Sequence, residues 1–195
     1  MNRSRQLAAL VLLSALIAVS TAFTGVAAAS TSQPDCRIRW GSLPEKHLVF
    51  TYTSATIENL RAGRHTCFDR LVLDLGPTQP GLPGRQGIGY QVRYVPEVRH
   101  GASGQRLPVR GGAFLAVVVN AAAHDADARP TYRPRDPMHA VGVTGYRTFR
   151  QVAFLGTFEA QTEIAIGVRA RLPFRAFVLA GPAGSRLVID VAHRW

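Results

Sequence analysis

Three observations in the sequence predict an all-β fold, in which two antiparallel sheets pack as a sandwich. Phe68–Leu75 and Ser185–Val191 share the order Arg, apolar, Val, apolar, Asp, apolar, which is typical of a strand with one apolar face. About eight short segments of strand type are separated by turn residues, and no long amphipathic helix lies between them. A closed barrel is the alternative that the same pattern allows.

The two similar segments are expected to place aliphatic and charged side chains on opposite faces. Successive residues of a strand point to opposite sides of a sheet. We therefore expect one face of each segment to line the core, with Leu71, Leu73, Leu75, Leu187, Ile189 and Val191. The other face presents an ordered charged surface, and its candidate ligand-binding residues are Arg70, Asp74, Arg186 and Asp190. The alternative role of these four residues is a salt-bridge ladder between strands.

The first half of the chain predicts two strands and a long loop. His47–Thr53 is rich in β-branched and aromatic residues and predicts a first strand. Thr56–Arg61 is expected to form a helical turn that Gly63 ends. Thr66–Leu75 is the strand around which the fold is organised. Gly76–Gly89 holds five glycines and three prolines, so we expect a loop.

The middle of the chain predicts two further strands and a second loop. Tyr90–Arg99 alternates like a strand, and Pro96 within it favours an edge or a bulge. A tight turn is expected at Gly101–Gly104. Phe114–Val119 is a continuous apolar run, which is typical of a strand covered on both sides. Ala121–Gly145 is expected to be a long loop.

The last third of the chain predicts a hairpin followed by a pair of strands. Thr148–Phe158 and Thr162–Ala170 are expected to pair around a turn at Glu159. Phe174–Leu179 is the next strand. A turn rich in glycine then leads into the final strand, Arg186–Val191.

The beginning of the chain predicts export. A short basic start precedes the apolar run Leu7–Val19, and Ala27–Ala29 supplies the small residues that a signal peptidase requires. We expect residues 1–29 to be a signal peptide, residues 30–39 a polar linker and residues 40–195 a single β domain. The protein would then be secreted or held in the extracytoplasmic cell envelope. An uncleaved leader that serves as an anchor is the alternative.

The net charge of +11 is nearly all arginine, and +9 remains without the two arginines of the leader. One interpretation is attraction to polyanions such as wall polymers, anionic lipid or nucleic acid. The other is a genome rich in G and C, because the arginines are scattered and form no run. We expect no nucleic-acid partner and at most peripheral contact with a membrane.

Cys36 and Cys67 are the two cysteines of the chain. Two cysteines in an exported protein most often form a disulfide, and this one would tie the N-terminal segment to the organising strand. The alternative is a catalytic thiol at Cys67 with His65 as its base.

Few residues favour catalysis or a bound cofactor. His124, Asp125, Asp127 and His139 share one loop, but they fall short of a calcium or zinc ligand set and are expected to be solvated. Glu159 and Glu163 are expected to form the polar rim of a hairpin rather than a glycosidase pair. No nucleophile elbow, zinc-protease or phosphate-loop motif occurs. We therefore expect no enzyme activity, no metal and no cofactor.

Four stretches of the sequence resemble the AMIN-like domain of secreted actinobacterial proteins. That domain is similar to AMIN domains, which are β-sandwiches accessory to cell-wall amidases and secretins. The resemblance extends over about Trp40–Trp195, and it is carried by Phe68–Leu75, Phe154–Glu159, Arg171–Arg175 and Leu187–Trp195.

The resemblance implies a non-catalytic envelope domain that binds peptidoglycan or another wall polymer. A protein–protein module that presents an edge strand to an envelope partner is a second hypothesis. A wall hydrolase that uses the loop between His124 and His139 is a third.

Overall fold

Alternating aliphatic residues build two antiparallel sheets whose apolar faces pack against each other. This computed structural model describes residues 36–48, 53–78, 87–181 and 183–195. The predicted leader, residues 1–29, lies outside the described residues. The strands are β1 (Glu45–His47), β2 (Ile57–Arg64), β3 (Phe68–Leu75), β4 (Tyr90–Val95), β5 (Val98–Arg99), β6 (Arg106–Leu107), β7 (Ala113–Val119), β8 (Phe149–Phe158), β9 (Gln161–Val168), β10 (Phe174–Gly181) and β11 (Gly184–Ala192), and one 3-10 helix, η1, spans Pro137–His139.

The strands form a five-stranded sheet and a four-stranded sheet. Their orders are β1-β4-β7-β9-β8 and β10-β11-β3-β2, and a short third pair joins β5 to β6. All of these pairings are antiparallel. Within the described part of the chain each large sheet keeps two open edges and neither closes into a barrel. The predicted β-sandwich is therefore confirmed.

The core lies between the two large sheets and draws on both. Each of the two similar segments, now parts of β3 and β11, turns its aliphatic residues inward, as predicted. The five-stranded sheet contributes the inward residues of β4, β7, β8 and β9. Large side chains with almost no exposure include Leu71, Leu73, Leu187, Ile189, Leu115, Ile164, Ile166, Phe149 and Phe174.

The helical turn predicted at Thr56–Arg61 is wrong, because all of this segment except Thr56 lies in β2. Ile57 and Leu60 are both buried, and their spacing of three residues resembles that of a helix face. A register shift between Ile57 and Asn59 shows that the strand contains a bulge at this point. The extra residue turns both apolar side chains toward the core, so a bulged strand produces a helix-like pattern.

Pro96 ends β4 and redirects the chain, so the strand predicted over Tyr90–Arg99 is divided in two. The chain leaves the five-stranded sheet and forms the hairpin of β5 and β6. A tight turn at its tip is held by Gly104 N–H donating to His100 O. The hairpin folds back over the outer face of the sheet, where Val98 packs against Ala153 and Ala165. We call this hairpin, residues 97–107, the flap.

The predicted hairpin of β8 and β9 is confirmed, and two residues form its turn. Glu159 and Ala160 both have positive φ, at 48° and 57°. Two successive residues of this conformation match the twist of a two-residue hairpin turn. β1 ends at His47, where the first predicted strand was expected to begin, and residues 49–52 of that prediction lie outside the described residues.

Candidate binding surface

The outer face of the four-stranded sheet arranges its side chains in three rows across four strands. The first row holds Arg175, Asp190 and Arg70, which are aligned in register. The next two rows are Phe177, Val188, Val72 and Arg61, and then Leu179, Arg186, Asp74 and Asn59. We call this surface the arginine face, after Arg61, Arg70, Arg175 and Arg186.

Asp190 holds two arginines in fixed positions at the centre of the first row. Arg70 donates through Nε and Nη2 to its two carboxylate oxygens, at 2.6 and 2.9 Å. Arg175 approaches Asp190 Oδ2 through Nε and Nη2, both at 2.9 Å. Hydrogen bonding to Asp190 raises the pKa of Arg70. The carboxylate is fully buried, whereas the arginine side chains are 25% and 39% exposed, so the arginines form the surface.

Aromatic rings pack against both guanidinium groups. The Arg175 guanidinium lies 4.3 Å from the ring centre of Trp40 and 5.1 Å from that of Phe177. The Arg70 guanidinium lies 5.2 Å from the ring centre of Phe68. Such cation–π contacts restrict the side chains further. The two arginines are therefore held by a buried charge and by flanking rings.

The four predicted ligand-binding residues have different environments. Arg70 and Asp190 pair directly across β3 and β11, and Asp190 is buried rather than exposed. Asp74 lies opposite Arg186 but pairs with Arg61, which donates through Nε and Nη2 at 2.8 and 3.0 Å. Arg186 has neither a hydrogen bond nor an ion pair among the described residues and is exposed. The structure thus leaves the arginines accessible and uses the aspartates to hold them.

Several members of the arginine face were missed in the sequence. Arg175 and Phe177 alternate in the predicted strand Phe174–Leu179, and that alternation was a usable signal. Trp40 could not be placed from the sequence, because it precedes β1 and reaches the face only through the fold. Cys36 and Cys67 form the predicted disulfide, with their Cα atoms 5.4 Å apart. The bridge brings the segment that carries Trp40 beside Phe68, where the ring centres are 5.6 Å apart.

Asp190 and Asp74 occupy equivalent strand positions but should differ in their contribution to stability. We expect Asp190→Ala to lower the free energy of unfolding by about 2–3 kcal/mol, because two partly buried arginines lose their counter-charge. Asp74→Ala is the matched control, and its exposed pair should contribute less than about 1 kcal/mol. Urea unfolding of the two variants measures both values. Equal losses in the two variants would contradict the central role of Asp190.

A second buried carboxylate joins the two sheets near one end of the sandwich. Asp69 Oδ2 accepts from the backbone N–H groups of Thr148 and Phe149, at 2.6 and 3.1 Å. Its Oδ1 lies 3.1 Å from His193 Nε2, and His193 Nδ1 lies 3.2 Å from Thr66 O. Asp69 belongs to β3 and Phe149 begins β8, so this cluster links one sheet to the other.

The histidines and acids of the loop 121–145 are engaged with their own neighbours. Asp125 accepts from the backbone of Asp127 and Arg129, both at 2.9 Å. His139 lies 2.9 Å from Asp136, and this hydrogen bond lowers the pKa of Asp136. Within the described residues no group of three or more histidine, cysteine, aspartate or glutamate side chains could hold a metal ion.

These observations define a class: a disulfide-bonded antiparallel β-sandwich with one sheet face formed by ordered arginines. The AMIN-like domain family matches residues 55–193, and the chain belongs to this family. Family membership indicates a domain associated with the cell envelope, and the disulfide is compatible with a location outside the cytoplasm. No curated protein and no solved structure matches the chain. None of the helices in the described ranges has the length and hydropathy needed to cross a bilayer.

Proposed function

We propose that this chain is a secreted, non-catalytic domain of the cell envelope that binds an anionic wall polymer through the arginine face. The observation that carries the proposal is the pair of arginines held on a buried aspartate. The face has four arginines and two aspartates, and one of those aspartates is inaccessible to a ligand. A surplus of positive charge on a flat, ordered surface favours a polymer with repeated carboxylate or phosphate groups.

The geometry of Arg70 and Arg175 supports this proposal. Asp190 uses Nε and Nη2 of each arginine, and the described contacts leave Nη1 of both without an acceptor. Donors that are already oriented lose less side-chain entropy when a ligand binds. The neighbouring rings of Trp40 and Phe177 add apolar surface on which a sugar could rest. The surface therefore offers both charge and planar contact area to a glycan.

Sedimentation with isolated bacterial cell wall tests this proposal. We expect the chain without residues 1–29 to sediment with wall at about 0.1 M salt and far less at about 1 M salt, where the screening length falls from about 10 Å to about 3 Å. Wall from which phosphate polymers have been extracted separates phosphate from peptidoglycan carboxylates as the bound group. A chain that stays in the supernatant with both walls at low salt would overturn the proposal.

Arg186→Gln tests whether the arginine face is the part that binds. Arg186 has no partner within the described part of the chain, so its replacement should leave stability unchanged. We expect wall affinity to fall about two- to fivefold, as for the loss of one exposed ion pair. Arg93→Gln is the matched control, because Arg93 is also exposed and unpaired among the described residues but lies on β4 of the other sheet. Equal effects of the two changes would indicate binding through net charge alone.

An edge-strand interaction is the second candidate, and one observation favours it. β10 is an edge strand of the four-stranded sheet, and Leu179 on it is 40% exposed. A partner strand that pairs with this edge would cover that leucine. Crosslinking in intact cells followed by mass spectrometry would recover a protein in this case. If the chain binds the wall polymer directly, it should instead bind purified polymer with no other protein present.

A further inference from the structure

The outer face of the five-stranded sheet carries a groove on the side of the molecule opposite the arginine face. The flap leaves the sheet after Pro96 and covers only part of this face. Beside the flap a groove of about 430 Å³ remains open. This volume falls within the range of small-molecule sites in proteins. The groove shares no lining residue with the arginine face.

Small residues aligned across neighbouring strands form the floor of the groove. Ala116 on β7 is in register with Arg93 on one side and with Ala165 on the other. Val118 on β7 extends the floor, and Val95 and Leu155 form apolar walls. Side chains larger than alanine at the centre of this row would fill the space. The groove therefore exists because short side chains meet in register.

One hydrogen bond holds the tip of the flap beside the groove. The backbone N–H of Gly101 donates to Glu163 Oε2 at 2.9 Å, which ties the flap to β9. The Glu163 carboxylate lies so close to Gly101 that a Cβ atom at this position would collide with it. Because this carboxylate is the flexible end of its side chain, a Cβ atom at Gly101 would displace it and break the hydrogen bond. The groove is thus formed before any ligand arrives, which lowers the entropic cost of binding.

The charges around the groove favour an anion. Arg93 stands at the rim and has neither a hydrogen bond nor an ion pair to any described residue. Glu97 is paired with both Arg99 and Arg106, so its negative charge is already neutralised. Glu163 keeps its negative charge while it accepts from the flap, so Arg93, Arg99 and Arg106 exceed the two glutamates around the groove by one charge. A guanidinium group beside an apolar floor matches a ligand with an acidic head and an apolar body.

We propose that this groove binds a small amphiphile that has one carboxylate and a short apolar chain. The carboxylate pairs with Arg93, and the apolar chain lies over Ala116 and Val118 beside the flap. The flap closes one side of the groove, which favours a compact ligand over a long polymer. This site is separate from the arginine face, so it adds a second binding function to the domain.

Titration with decanoate below its micellar concentration tests this site, with decanol and decyltrimethylammonium as matched probes. We expect decanoate to bind with a Kd below about 1 mM and to shift the amide resonances of Arg93, Ala116 and Glu163 in NMR spectra. Decanol should bind more weakly, and the cationic probe should bind weakest. Equal binding of all three probes, or shifts scattered over the surface, would mean an adventitious additive only and would overturn the proposal.

Two variants test separately the apolar contact with the floor of the groove and the ion pair with Arg93. Ala116→Leu should fill the floor and weaken decanoate binding at least tenfold, while Arg93→Gln should weaken decanoate about fivefold and leave decanol unchanged. Arg186→Gln, on the other sheet, is the control and should bind decanoate like the unaltered protein. If Ala116→Leu fails to fold, the binding of decanoate and decanol to Arg93→Gln still tests the proposed site. Decanoate affinity that is unchanged in Arg93→Gln would overturn the proposal, whatever the wall-sedimentation result.

Discussion

Replacing Asp69 by alanine is expected to lower the free energy of unfolding by about 3–5 kcal/mol, which is the largest effect of any single substitution considered. The Asp69 carboxylate is fully buried and accepts from three donors, two at the start of β8 and one just after β11. Its loss leaves the N–H groups of Thr148 and Phe149 without an acceptor in a site that excludes water. Each buried unsatisfied group costs about 1–3 kcal/mol.

Two further variants show whether the effect comes from these hydrogen bonds. In Asp69→Asn the amide oxygen can still accept from both backbone N–H groups, so we expect a loss between that of the alanine variant and zero. Asp127→Ala is the control, because Asp127 is exposed and pairs only within its own loop. Urea unfolding measures all three, and hydrogen exchange at Thr148 and Phe149 should become faster only in the Asp69 variants. A loss below about 1 kcal/mol for Asp69→Ala would contradict the conclusion that the Asp69 cluster links the two sheets.

Removing the Cys36–Cys67 disulfide is expected to lower the free energy of unfolding by about 3–4 kcal/mol. The bridge joins residues 31 apart in the sequence, and closing a loop of this size removes conformational freedom from the unfolded chain. The bridge also brings Trp40 against Phe68 and Arg175. The Cys36→Ser/Cys67→Ser double variant should therefore lose both stability and order in the arginine face.

Tryptophan fluorescence gives a second measurement for the same variant. We expect the environment of Trp40 to become more polar when the bridge is absent, because the segment that carries it is no longer tied to β3. The unaltered protein under reducing conditions should behave like the double variant, which controls for the introduced serines. Stability within about 1 kcal/mol of the unaltered protein would show that the bridge does not organise this segment.

The aliphatic alternation of the two similar segments was sufficient to predict their buried face. Leu71 and Leu73 in β3, and Leu187 and Ile189 in β11, are fully buried as expected. This prediction succeeded because a strand has a period of two, and burial of apolar side chains leaves only one orientation for it. The hairpin of β8 and β9 was likewise predicted, since two such segments separated by a short turn pair locally.

The role of the charged residues was predicted only in part. The sequence predicted a charged face with a salt-bridge ladder between strands as its alternative, but it named no pair. The register of β3 and β11 places Arg70 opposite Asp190. The sequence did not indicate that Arg175 would share the same carboxylate. Asp74 pairs with Arg61 rather than with Arg186 because β2, once predicted as a helical turn, lies beside β3. The order of the strands in the sheet decides which arginine pairs with which aspartate, and no local sequence pattern shows that order.

Asp69 and His193 could have been noticed in the sequence, because the alternating pattern of apolar residues assigns these two polar residues to the core side. Asp69 falls on the core face of β3, two positions before Leu71, and His193 follows the end of β11, two positions after Val191. A polar side chain on an apolar face requires a partner. That partner is the backbone at the start of β8, which is about 80 residues away in the sequence. The sequence pattern could show that Asp69 needs a buried partner, but it could not identify which group that partner is.

The sequence by itself determined that this chain forms short strands with aliphatic inner faces, because local periodicity and the burial of apolar surface require it. Only the tertiary structure decided which charges meet, how Trp40 joins the arginine face, and that alanines from two strands leave a groove beside the flap. The physical reason is that strand order and register bring together residues that lie far apart in the chain.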